Sequence, residues 1–204
     1  MASAVAAAMV LTVVMPDRVR LGPQWVLPLL EGVLLVALMV GDPGRIDRRS
    51  RLLRRLSIAL VAVLVLGALT STARLTVELV RGGPLANSAT SLLAAGATVW
   101  TSNVIAFALL YWELDGGGSA ARAHGLPSYP DLAFPQQLNP DVAPPGWRPR
   151  FLDYLYVGFT NATAFSPTDV MPLAPWAKLA MTVQAAISLV VLGLVVARAV
   201  NVFQ

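Results

Sequence analysis

The chain has 204 residues, 56% of them hydrophobic and 13% charged, against roughly 25% charged in an average soluble domain. A water-soluble globule of this size cannot hide that much apolar surface, and the net charge of +4 is carried in short basic clusters between long uncharged runs, the pattern of helices threaded through lipid. No groove-reading motif accompanies the arginines, which argues against nucleic acid as a partner, and without cysteine there are no disulfides, thiolate metal sites or cysteine nucleophiles.

Five apolar runs follow one another, at 2–15, 25–40, 57–80, 85–112 and 176–200. Crossing the hydrocarbon core takes roughly 20 residues at about 1.5 Å each, a length that the third, fourth and fifth runs reach. The first has no basic segment ahead of it, unlike a signal peptide, and reads as a short membrane helix. The second is also short and contains Pro28 and Glu31, a carboxylate with no local partner.

Residues 41–55 read GDPGRIDRRSRLLRR, with six arginines. By the positive-inside rule this loop is cytoplasmic, and its basic residues also suit anionic lipid head groups. In the third run Arg74 and Glu78 are four apart on one helix face, the spacing of a mutually neutralising pair. The fourth run is uncharged for 28 residues and carries Trp100, Thr101, Ser102 and Asn103, with Tyr111 and Trp112 placed as interface anchors at its end. An amide in hydrocarbon needs a partner, so Asn103 faces another helix, either as an adhesive between helices or in a transport path.

From 113 to 150 the helical pattern stops. A Gly116, Gly117, Gly118, Ser119 stretch precedes Pro127, Pro130, Pro135, Pro140, Pro144, Pro145 and Pro149, which suits an ordered extended loop rather than a helix or central strand. Phe134, Trp147 and Phe151 supply side chains that lie against the bundle or the interface. His124, the sole histidine, has no second histidine to make a ligand pair and reads as a solvated loop residue.

The segment 151–175, FLDYLYVGFTNATAFSPTDVMPLAP, carries the functional signal. Residues 151–163 suit a helix too short to cross a membrane, with Leu152, Leu155, Tyr156 and Phe159 near one face. A polar break follows, with Thr160, Asn161, Thr163, Ser166, Thr168 and Asp169, and then a long uncharged helix. Short helix, break and long helix is the order of a re-entrant loop, in which protein or a water-filled cavity must satisfy the nonhelical backbone.

The register of Tyr154, Tyr156, Phe159 and Thr160, followed by Thr163, Asp169, Met171, Pro172 and a last helix ending Val-Ala-Arg198-Ala-Val, resembles the pore helix, filter and inner helix of two-transmembrane potassium-channel modules. The resemblance covers about fifty residues. The same segment resembles the C-terminal end of an uncharacterised family of small bacterial multi-pass membrane proteins, in which a Ser-Asp or Thr-Asp pair occupies this place. The family brings no established activity and implies a bacterial inner-membrane location. Aligned on Asp169, the two filter glycines fall at Ser166 and Thr168 and the filter aromatic at Pro167. Ser and Thr disfavour the backbone angles that aim successive carbonyls at an ion. The resemblance therefore implies, in place of a potassium filter, a wider site with Thr163, Ser166 and Asp169 at its mouth and Gln184 and Ser188 on one face of the last helix. The competing structural reading is a broken helix whose Thr168 or Asp169 caps the last helix.

The expectation is an all-α, polytopic membrane helix bundle of about five transmembrane helices plus a re-entrant pore-like half-helix. It divides into a four-helix region at 1–112, a Gly/Pro-rich loop at 113–150, and the pore-like segment with the last helix at 151–204. The expected function is an ion-conducting pore, with the lipid bilayer, a homo-oligomer and a monovalent cation as partners; the alternative is a nonconducting scaffold or partner-binding bundle. Thr160, Asn161, Thr163, Ser166, Thr168 and Asp169 are the filter-like residues, and Gln184, Ser188, Asn103 and Glu31 the pore-lining or buried polar ones. Gly193 and Ala197, four apart, suit close helix approach. No HExxH, nucleotide loop, serine elbow or carboxylate cluster is present, so no enzyme, metal or cofactor is expected.

Overall fold

A computed structural model of the chain describes residues 1–20, 22–41, 51–123, 125, 129–163 and 169–202. Among the described residues the regular structure is helical but for one two-residue strand pair, with α1 (Ala2–Val14), α2 (Val26–Gly41), α3 (Arg51–Arg81), α4 (Ala89–Leu114), α5 (Ser119–Ala123), α6 (Pro135–Leu138), α7 (Phe151–Thr163) and α8 (Pro175–Val202). Strand β1 (Leu132–Ala133) pairs antiparallel with β2 (Met171–Pro172), Leu132 facing Pro172 and Ala133 facing Met171.

The helices α3, α4 and α8 are long and apolar enough to cross a membrane, and the protein is a membrane protein on that ground. The 31 residues of α3 extend about 46 Å, more than the roughly 30 Å hydrocarbon core. The 13 and 16 residues of α1 and α2 fall short of that thickness. Each long helix has local stop signals. Ser88 caps α4 by accepting from the Ser91 amide at 3.4 Å. Its other end runs into Gly116, Gly117 and Gly118, all at positive φ, where a side chain would be strained. Pro175 opens α8, a position at which its missing N–H leaves no intrahelical bond unmade.

Helix α4 is the axis of the bundle, and three apolar clusters surround it. Toward its N-terminal end Leu92, Ala95 and Val99 pack with Leu75 and Leu79 of α3, Met15 and Val19 after α1, and Val191, Val195 and Ala199 of α8. Toward its C-terminal end Ile105, Ala106 and Leu109 pack with Val5 and Ala8 of α1 and Leu60, Val61, Leu64 and Ala68 of α3. On another side Phe107 and Tyr111 pack with Tyr154 and Val157 of α7, Ala177 and Met181 of α8, and Leu132 and Phe134 of the loop. Both α3 and α8 therefore run antiparallel to α4. From Ala177 to Val195 the buried positions on α8, Ala177, Met181, Gln184, Ser188, Val191 and Val195, recur at alternating spacings of four and three, and Ala199 follows four further on, one continuous buried face. Leu179, Leu189, Val190, Val196 and Val200 face outward, the apolar exterior of a lipid-facing helix.

Several expectations change here. Arg74 donates to the Arg20 carbonyl at 2.5 Å and Glu78 accepts from the Leu85 amide at 3.4 Å, so the two do not neutralise one another among the described residues. Tyr111 is fully buried and is no interface anchor, because its hydroxyl finds a partner inside the bundle. The close helix approach lies at Gly96, where an added Cβ would meet Val195 Cγ2 at 2.8 Å; Gly193 faces open space. The proline-rich loop holds two short helices, α5 and α6, since Pro135 sits at a first helical turn and sacrifices no bond there. His124, Ser166, Pro167 and Thr168 lie outside the described residues.

Candidate functional site

Helix α7 occupies the residues expected of the short helix, and it packs between α4 and α8. Its faces are sorted for a bundle in lipid. Leu152, Tyr156 and Phe159 point outward, while Tyr154, Val157, Gly158 and Ala162 are buried. Phe151 stands edge-on to Trp112 at 6.1 Å and Phe159 edge-on to Trp100 at 5.6 Å, so α7 runs back along roughly the C-terminal half of α4. Gly158 allows the contact to be close: a Cβ there would lie 3.0 Å from the Val104 carbonyl oxygen and 3.4 Å from Ala108 Cβ.

Where the three helices meet, their polar side chains bond to one another. Gln184 of α8 is the hub, with no exposed surface. Its Oε1 accepts from the Tyr111 hydroxyl of α4 at 2.7 Å and from Asn161 Nδ2 of α7 at 2.8 Å. Its Nε2 donates to the Gly158 carbonyl at 2.9 Å, and Asn161 Nδ2 also reaches the Met181 carbonyl at 2.9 Å. One turn further along α8, Ser188 accepts from Asn103 Nδ2 at 3.0 Å. In hydrocarbon each such interhelical bond contributes about 0.6 to 2 kcal/mol.

Asn103 and Asn161, read separately in the sequence, are thus brought to Ser188 and Gln184, which the sequence places together on one face of the last helix. Thr160 and Thr163 are local: the Thr160 hydroxyl donates to the Tyr156 carbonyl at 2.9 Å, and the Thr163 hydroxyl to the Thr160 carbonyl at 2.8 Å. Asp169 is exposed and six residues short of Pro175, so it does not cap α8. Thr168, the other candidate cap, lies outside the described residues.

A second cluster fastens the loop to the same end of α4. Asp115, 1% exposed, accepts through Oδ1 from the amides of Asp131 at 3.1 Å and Leu132 at 3.0 Å, and through Oδ2 from the Tyr154 hydroxyl at 2.5 Å. Asp131 returns the contact, its Oδ2 accepting from the Gly116 amide at 2.9 Å, while its carbonyl accepts from the amides of Leu173 and Ala174. Burial pushes the Tyr154 phenol above its ordinary value and keeps it a donor. The Arg122 guanidinium lies over Trp112 and Tyr154, 4.6 and 5.1 Å from their ring centroids, and donates to the Asp115 carbonyl.

Glu31 stands apart from both clusters. It is 2% exposed and lines a cavity of about 20 Å³ with Thr12, Arg20, Ser71 and Ser102. Glu31 Oε2, Arg20 Nε and Ser102 Oγ are buried with no hydrogen-bond partner among the described residues. By volume and by number of polar atoms such a space suits one bridging water. On the same side of α4, Arg54 of α3 approaches the buried Glu113 at 3.7 Å.

Sequence reasoning missed Tyr111 as a donor, Gly158 as the point of contact, and Asp115 as the loop anchor. The first had a signal: Tyr111 is eight residues from Asn103 and hence close to the same face of α4. The loop anchor had none, because Asp115 and Tyr154 are separated by most of the loop. No protein-family model, curated protein or solved structure matches the chain.

Proposed function

We propose that the protein is a multi-pass cell-membrane protein in which α4, α7 and α8 form a pore-type module that passes small monovalent cations at an axis between copies of the chain. One observation carries this reading. Helix α7 starts beside Trp112 at the C-terminal end of α4, runs inward to Trp100, and the chain is back beside the starting end at Val170, Met171 and Pro172, where β2 pairs with β1. An excursion that leaves and returns on one side, between two full-length helices, is a re-entrant half-crossing.

On this reading α1 and α2 are also crossings, tilted or matched to thinner bilayer, which makes five. The C-terminal end of α4 then lies on the side of the arginine-rich segment 41–55, and the positive-inside rule makes that side cytoplasmic. The half-crossing enters from the cytoplasm, opposite to potassium channels. On this reading Thr163 and Asp169 belong to the conducting surface, since Asn161 and Gln184 bond to one another and Asn103 Nδ2 is held by Ser188.

That last observation favours a second reading, a nonconducting bundle that acts as scaffold or partner subunit, with the polar residues serving as helix adhesive. Ion flux into proteoliposomes containing the purified protein separates the two. The pore reading expects cation flux that Asp169→Asn reduces several-fold without changing stability. Tight vesicles holding correctly folded protein would sink it and leave the scaffold.

A further inference from the structure

We infer that Glu31 is an intramembrane proton-binding site, a carboxyl group that exchanges its proton with a single water held in the cavity between α1, α2, α3 and α4. That cavity, about 20 Å³, has room for one water. Its polar lining is Thr12, Arg20, Glu31, Ser71 and Ser102; the remainder is Ala, Gly, Leu and Met.

Glu31 lacks a counterion. Among the described residues no cation lies within ion-pair reach of it, and its Oε2 has no hydrogen-bond partner. Arg20 shares the cavity, but its guanidinium is engaged elsewhere: Nη2 is paired with Asp17, and Nη1 donates to the carbonyls of Val13 and Met15 at 3.4 Å each. Only Nε is left over. The helices packed on α2 add little charge at this level. Helix α1 carries none, and Asp17 and Arg18 after it are exposed; the nearest charge to Ser71 on α3 is Arg74, exposed and held by the Arg20 carbonyl. On α4 the sole charge is Glu113, well over two turns from Ser102. A carboxylate without a counterion in an apolar interior is so costly that the group takes up a proton instead.

The neighbouring hydroxyl points to an occupant of the cavity. Thr12, Thr70, Thr98 and Thr182 each donate to the carbonyl four residues back, the ordinary solution for a hydroxyl on a helix in lipid. Ser102, midway along α4, does not, and its Oγ is buried without a partner among the described residues. One water supplies what all three unpartnered atoms lack, accepting from Arg20 Nε and bonding to Ser102 Oγ and the Glu31 carboxyl. Release moves the Glu31 O–H proton to that water, leaving a carboxylate and a hydronium ion, and uptake reverses the step. Arg20 ties the cavity to Asp17, whose side chain is 87% exposed, so the water sits one guanidinium from the surface.

Infrared spectroscopy of the purified full-length protein in detergent tests the site. At neutral pH the protein should show a protonated-carboxyl band that Glu31→Gln removes, that shrinks as the pH is raised and returns when it is lowered, and that shifts promptly on transfer to D₂O. Titration and deuteration are read on the unmodified protein, and Glu31→Asp, which moves the band, makes the assignment where Glu31→Gln fails to fold. Ser102→Val, which fills the cavity and leaves the carboxyl in place, should keep the band and slow its deuterium shift several-fold. Three results would each overturn the site: no band assignable to Glu31, a band that neither titrates nor exchanges, and an exchange rate indifferent to Ser102→Val.

Discussion

The Tyr111 hydroxyl of α4 donates to Gln184 Oε1 of α8 at 2.7 Å, and Asn161 of α7 donates to the same oxygen at 2.8 Å. One amide thus joins three helices. Replacing it with an apolar residue strands the Tyr111 hydroxyl in a dry interior, where a lost partner costs about 1 to 3 kcal/mol. Gln184→Leu is expected to lower stability in detergent by that amount and Tyr111→Phe by less. In a double-mutant cycle the two losses should fall short of additive, since they remove one shared bond. Strict additivity would show that the bond contributes nothing.

Close packing at Gly96 should be rescuable. An alanine Cβ there meets Val195 Cγ2 at 2.8 Å, a contact that forces the valine to move. Gly96→Ala is expected to destabilise by about 1 to 3 kcal/mol, and Val195→Ala in the same chain to restore much of the loss. Unfolding transitions of the two single variants and the pair check this, and failure of the second substitution to help would place the strain elsewhere.

The seat of α7 depends on Gly158. A valine in its place drives bulk into the Val104 carbonyl, 3.0 Å from the first added carbon. Gly158→Val should loosen α7 from α4, so that a cysteine introduced at Ala162, which is buried in the native protein, becomes reactive to a water-soluble maleimide. Unchanged protection of that cysteine would mean that α7 is held without the close approach.

Asp115 anchors the loop through two amides and one hydroxyl. Asp115→Asn keeps the shape but retains one acceptor oxygen, leaving either the amides or Tyr154 facing an NH₂ group. A loss of about 2 kcal/mol is expected, read as faster proteolysis within 129–150 while the long helices stay intact. Tyr154→Phe should have a smaller effect in the same assay, because the backbone amides keep their acceptor.

Sidedness can be measured directly because the chain has no cysteine. Single cysteines at Leu52 and Asp141 should react from one face of a sealed vesicle and one at Ser88 from the other. Labelling of Leu52 and Asp141 from opposite faces would remove the topology on which the proposed half-crossing rests.

The sequence by itself determined the solvent and the helices. Long uncharged runs cannot be buried within 204 residues, so they must face lipid, and helix length follows from bilayer thickness and local stop signals such as Ser88 and the three glycines after Asp115. It also made α7 legible, because 13 residues between Arg150 and the polar break cannot cross. Even the pairing of Gln184 with Ser188 on one face was legible, as a spacing of four on a helix.

Only the tertiary structure decided what those residues touch. Asn103 and Gln184 read as candidates for a water-filled path, but a polar group in an apolar interior takes whichever partner the packing brings, and here the packing brings Ser188, Tyr111 and Asn161. The Arg74 and Glu78 spacing suggested a pair, yet the backbone carbonyl of Arg20 and the amide of Leu85 lay in better reach. The packing of α7 against α4 and α8 and the fastening of Asp115 to Tyr154 depend on contacts between residues far apart in the chain, and no local pattern encodes which side chains the bundle will bring into contact.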